Sequence, residues 1–134
     1  MKLWASLYAM VWLVFLEFIL VWAPVSGFAL LLYVHVVLGV VIFVIAYSNA
    51  SKLSKTQCPA RIRRIVKATV GLAAFEGVLG ILLYVSKTSS FPSLVTSAVS
   101  FLHILTALAI VTQAASTATA YDMWEEKEFS ITIP

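Results

Sequence analysis

The chain has 134 residues, of which 62% are hydrophobic and only 11% are charged, with a formal net charge of +3. Its mean hydropathy of +1.01 excludes an ordinary water-soluble domain and indicates a membrane protein with several spans. Cys58 is the only cysteine, which excludes an intrachain disulfide and a thiolate metal cluster, and the positive residues lie in one loop beside lipid, which excludes a nucleic-acid-binding surface.

Four apolar segments are long enough to cross a bilayer, whose hydrocarbon core of about 30 Å requires roughly 20 helical residues. In chain order they cover residues 3–23, 28–47, 65–85 and 93–115. None of them shows the alternation of apolar and polar residues that is typical of a β-barrel strand. We therefore predict an all-α fold, with a polytopic four-helix membrane bundle over residues 1–120 and an acidic tail over residues 121–134.

The loop between the second and third segments determines the predicted orientation. An excess of lysine and arginine marks the cytoplasmic side of a membrane protein. Residues 48–64 carry such an excess, in Lys52, Lys55, Arg61, Arg63 and Arg64. Four spans then place both termini and the acidic tail in the cytoplasm, and the expected location is the plasma membrane of a prokaryotic cell.

The only two histidines lie inside apolar segments, where lipid offers an imidazole no hydrogen-bond partner. His35 is in the second segment and His103 is in the fourth, so the predicted topology makes their helices parallel. Counting from the outer ends of the segments places them about 12 and about 16 Å deep, at one level within a helical turn. Each is followed four residues later by a small residue on the same helix face, Gly39 and Ala107, which leaves room beside the ring.

The two halves of the chain resemble each other. Glu17 lies in the first segment and Glu76 in the third, and each of these segments precedes a segment with one histidine. This pattern predicts two tandem helical hairpins, related by an axis along the membrane normal.

Two imidazoles at one level match the axial ligands of a haem iron, one on each side of the macrocycle. Helical bundles hold such cofactors with side chains from facing helices. We therefore predict that His35 and His103 bind the iron of one haem b, with Gly39 and Ala107 leaving space for the ring. Ser100 and Thr106 lie three residues on either side of His103 and are candidates to bond its second nitrogen.

Two other interpretations of the same residues are open. The histidines are core residues hydrogen-bonded to Glu17 and Glu76, or all four side chains form a non-haem metal site. The second of these lacks the Glu-x-x-His spacing that carboxylate-bridged metal bundles usually have.

Several short motifs resemble one half of a haem A synthase, a family built from four-helix halves with a histidine on the second and fourth helix. Ser26-Gly27-Phe28 is similar to the family's Ser-Gly-Leu after the first span, and residues 59–64 are similar to its basic stretch before the third. Glu76-Gly-Val-Leu-Gly80 resembles its Gln-x-x-Leu-Gly, and Pro92 followed by His103-Ile-Leu-Thr-Ala107 resembles the start of its fourth helix. The resemblance implies a haem-ligand role for His35 and His103.

The chain departs from that family at positions that bear on the reaction. Leu32 stands where the family has a glutamate implicated in the oxidation, and Val36 stands where it usually has arginine. Two axial histidines also leave the iron no open position, which favours electron transfer. The expected function is a b-type haem subunit of a respiratory complex that carries electrons or holds haem, with other membrane subunits or further copies of itself as partners. The alternatives are a half-size haem A synthase that oxidises haem O, and a haem-free structural subunit.

Overall fold

The computed structural model describes residues 2–22, 28–89 and 91–131. These residues form four helices: α1 (Leu3–Trp22), α2 (Phe28–Ser54), α3 (Ala60–Thr88) and α4 (Ser93–Ile131). Each helix is long and apolar enough to cross a membrane. The predicted all-helical membrane fold is therefore confirmed. The Ser26-Gly27 motif and residues 132–134 of the tail lie outside the described residues.

Helices α2 and α3 both continue beyond the predicted spans into the basic segment. Helix α2 ends at Ser54 rather than near residue 47, and α3 begins at Ala60 rather than near residue 65. Polar and basic residues such as Lys52 and Arg63 are compatible with a helix, so the helix does not stop where the hydrocarbon ends. Pro59 marks the start of α3, and its carbonyl accepts the first backbone hydrogen bond, 3.0 Å from the Ile62 nitrogen.

Helix α4 also runs further than its predicted span, from Ser93 to Ile131, and includes most of the acidic tail. Tyr121 is buried and its ring lies 5.6 Å from that of Trp124. The hydroxyl of Tyr8 on α1 donates a hydrogen bond to Asp122, at 3.4 Å. The first part of the tail is therefore a helical extension that packs beside the start of α1.

The helices are arranged in a ring in which each contacts two neighbours. Helix α1 packs against α2 and α4, and α3 packs against the same two helices. Among the described residues, no Cα atoms approach within 8 Å across the diagonals α1–α3 or α2–α4. A parallel arrangement of consecutive helices would need a connection that runs the whole length of a helix. The connections at residues 23–27, 55–59 and 89–92 are too short for this at about 3.5 Å per residue. Neighbouring helices are therefore antiparallel, and the diagonal pair α2 and α4 is parallel.

Most of the described apolar core forms two clusters, and both lie between the histidines and the 55–59 connection. The cluster nearer the connection contains Leu7, Leu53, Cys58, Ile62, Val66, Ala118 and Tyr121. The second contains Met10, Val14, Ile42, Ala46, Ala73, Ile110 and Ala114. Leu79 and Val99 are also buried but belong to neither cluster, and they lie about one turn beyond Glu76 and His103.

Candidate functional site

The two histidine rings meet in the centre of the bundle. His35 projects from α2 and His103 from α4, and their ring centres are 6.1 Å apart with the planes at 77°. The backbones of these diagonal helices do not approach each other, so both side chains must point inward to come this close. The structure therefore brings together the two residues that the sequence singles out.

Each histidine has a glutamate from a neighbouring helix beside its Nδ1 atom. Nδ1 of His35 is hydrogen-bonded to Oε2 of Glu17 on α1. Nδ1 of His103 lies 3.1 Å from Oε1 of Glu76 on α3, which is within ion-pair distance. This second contact does not have hydrogen-bond geometry, and Nδ1 of His103 has no hydrogen-bond partner. The first His–Glu pair is therefore hydrogen-bonded and the second is not.

The site contains polar atoms that the protein leaves without partners. The Glu17 and Glu76 side chains are only 10% and 18% exposed, and the remaining oxygen of each, Oε1 and Oε2 respectively, is buried without a hydrogen bond. No hydrogen bond among the described residues involves Nε2 of either histidine. Unpartnered polar atoms cost free energy when buried, and native proteins tolerate them mainly at functional sites. The buried atoms left without a partner at this site are therefore Oε1 of Glu17, Oε2 of Glu76 and Nδ1 of His103.

One small residue, Gly80, lies against a histidine ring, and it differs from the two predicted small residues. Gly39 is exposed and a Cβ added there would find no atom within 4 Å, while Ala107 is partly buried. A Cβ added at Gly80 of α3 would lie 3.5 Å from Cε1 of His103. Gly80 follows Glu76 by four residues and therefore lies on the same face of α3. The search for a small residue four positions after each histidine, applied to Glu76 as well, would also have identified Gly80.

The predicted hydrogen-bond role of Thr106 is wrong. Its hydroxyl donates to the carbonyl of Leu102 in its own helix, at 2.9 Å, as threonine commonly does inside a helix. Ser100 makes no hydrogen bond to His103 among the described residues. The group that lies next to Nδ1 of His103 is Glu76, on the neighbouring helix.

The described residues contain no group of three or more His, Cys, Asp or Glu side chains that is arranged to hold a metal ion. The non-haem metal interpretation requires such a group, because a bare ion takes most of its ligands from the protein. A haem iron already has four equatorial nitrogens and takes only its axial ligands from the protein.

Comparison of the chain with protein-family models, curated proteins and solved structures gives no match. The fold and the site together define a membrane protein of four long helices with two intramembrane His–Glu pairs at its centre. The resemblance to haem A synthases rests on the motifs quoted above.

Proposed function

We propose that this chain is a membrane protein that binds one haem b between His35 and His103, and that it carries electrons or holds haem within a respiratory complex. The observation that supports this proposal is the approach of the two rings, 6.1 Å apart, from diagonal and parallel helices. Two ligands of one iron must approach each other across the bundle, whereas two histidines that serve only packing need not.

His35 and His103 would hold the haem iron from two sides, because they project from diagonal helices and their ring centres lie 6.1 Å apart.

The glutamates complete the ligand assignment by holding the other ring nitrogen. Metal-binding histidines almost always donate their second N–H to a carboxylate, a carbonyl or water. The hydrogen bond between Glu17 and Nδ1 of His35 would hold that ring in place and leave Nε2 to bind the iron. Glu76 lies 3.1 Å from Nδ1 of His103 without hydrogen-bond geometry, and it is the group placed to bond this nitrogen when the ring binds a ligand. A His–Glu hydrogen bond of the kind expected for a core histidine would thus also orient that histidine to bind iron.

Haem held by two imidazoles would supply one-electron redox chemistry. Leu32, where the synthase family has a glutamate, removes a side chain implicated in that family's oxidation. These residues favour electron transfer over chemistry on a bound substrate.

The test is the spectrum of the purified full chain after reduction with dithionite. We expect b-type bands from the native protein and their loss in His35→Ala and in His103→Ala. Thr106→Ala is a matched control, because that hydroxyl bonds within its own helix and should leave the spectrum unchanged. A colourless native protein, or unchanged spectra in both histidine variants, would reject haem ligation and leave a structural subunit. Conversion of haem O to haem A, measured by pyridine haemochrome analysis, would replace electron transfer by synthase activity.

A further inference from the structure

A groove lies between α2 and α3 on the outer surface of the bundle, at the end nearer the 55–59 connection. It has a volume of about 400 Å³ and is lined by Tyr47, Ala50, Ser51, Ser54, Lys67 and Val70. This groove is far from the histidines along the helices. Ala50 and Val70 form the inner side of the lining, since each packs against a hydrophobic cluster, and the exposed Ser51, Ser54 and Lys67 lie on its outer side.

The groove changes from polar to apolar along its length. Its α2 wall is a single stripe of the helix, because the residues recur every three or four positions. Ser51 and Ser54 lie toward the connection, and Tyr47 lies deeper. Beyond Tyr47 the same stripe continues as Val44 and Val40, both more than half exposed on the face that lipid covers. An occupant must therefore be polar at one end and apolar at the other.

Lys67 supplies the charge at the boundary between these two regions. Helix α3 has 29 residues and is about 44 Å long, so it exceeds the hydrocarbon core of about 30 Å by several residues at each end. Lys67 lies about 10 Å from the start of α3, close to the level where hydrocarbon meets headgroups. Its side chain is exposed, and no carboxylate in the described part of the chain forms an ion pair with it. A lysine at this depth extends its ammonium group toward the headgroups.

We propose that this groove binds an anionic phospholipid, with its phosphate against Lys67 and Ser51 and its acyl chains along the exposed valines of α2. Charge complementarity supports this occupant, because Lys52, Arg63 and Arg64 lie at the same end of the bundle and raise the positive potential there. Basic pockets between membrane helices are known to bind such headgroups. The ammonium group of Lys67 and the hydroxyl of Ser51 are both able to donate to phosphate oxygens.

The experiment counts lipids on the intact chain by native mass spectrometry, after exchange into mixed micelles of phosphatidylglycerol and phosphatidylcholine. We expect one phosphatidylglycerol to be retained in preference to phosphatidylcholine. Lys67→Gln should lower its occupancy by about tenfold, the effect of one charge-assisted hydrogen bond. Lys67→Arg should restore most of it. Circular dichroism of each variant verifies that the helices are intact.

Arg61→Gln is the matched control. Arg61 is exposed and lies at the same end of α3, but about 120° away around the helix axis from Lys67. It should leave lipid occupancy within about twofold of the native value. Equal losses in both variants, or no lipid preference in the native chain, would overturn the proposal in favour of general surface charge. Displacement of the lipid by millimolar inorganic phosphate would show a free-anion site, and a dimer that excludes the lipid would show an interface between copies. Either result would also overturn it.

Discussion

Gly80 provides a direct test of where the ring of His103 lies. A Cβ at this position would lie 3.5 Å from Cε1 of the ring, which is ordinary van der Waals contact. Gly80→Ala should therefore cost no packing energy, and the better helix propensity of alanine should add up to about 1 kcal/mol of stability. Gly80→Val is different, because its γ-methyl groups reach about 1.5 Å beyond the Cβ.

A valine methyl directed at the ring would lie about 2 Å from Cε1 of His103, well inside the contact distance of roughly 3.5–4.0 Å. Valine has one strongly preferred rotamer in a helix, so it has little freedom to avoid the ring. Either the ring or the helix must move, and overpacking of this kind costs about 1–3 kcal/mol. For a chain of 134 residues, each kcal/mol corresponds to a shift in Tm of roughly 3–5 °C.

The assay measures Tm in detergent and haem per chain for Gly80→Ala, Gly80→Val and Gly77→Val. Gly77 is the matched control, because a Cβ there has no atom within 4 Å. We expect Gly80→Val alone to lose stability and bound haem. If Gly80→Val behaves like Gly77→Val in both measurements, the ring of His103 does not lie against α3 and the geometry of the site is wrong.

Two further predictions concern polar groups inside the bundle. Glu76→Gln should leave haem content nearly intact, since Glu76 is not a proposed ligand. Glu17→Gln should raise the reduction potential by more than Glu76→Gln does, because only Glu17 is hydrogen-bonded to its histidine. A carboxylate partner makes a histidine ligand more basic, and glutamine removes that effect. Potentiometric titration measures both, and complete loss of haem in Glu76→Gln would favour a Glu–His metal site. Thr117→Val should raise stability by about 1 kcal/mol, because valine removes a buried hydroxyl that has no partner beside a cavity of about 10 Å³. Lower stability in thermal unfolding would show that the hydroxyl is bonded to a water in that cavity.

The fold could be predicted from the sequence because hydropathy acts directly on membrane helices. Apolar length determines how many spans form, and the described residues contain all four of them. The helix ends could not be predicted in the same way. A helix ends where its backbone hydrogen bonding ends, and polar residues up to Ser54 and from Ala60 onward keep that bonding outside the hydrocarbon.

The residues of the site could be predicted from the sequence because ionisable side chains are rare in apolar spans. An ionisable side chain in an apolar span is costly, so His35, His103, Glu17 and Glu76 stand out without any structure. Their partners were harder to identify, because spacing along one helix says nothing about which neighbouring helix faces it. Spacing makes Ser100 and Thr106 the candidates to bond His103, whereas the group beside its Nδ1 is Glu76 on another helix.

The hydrophobic clusters and the ionisable side chains lie at different levels along the bundle. Both hydrophobic clusters lie on one side of the histidine level, and the four buried or partly buried ionisable groups lie beyond them. Burying those groups costs free energy, and the packing in the other half offsets that cost. A flat, largely apolar cofactor held by His35 and His103 would add apolar contacts to the half that has no cluster. Because a ligand that binds only the folded state stabilises it, such a cofactor would also raise the stability of this half.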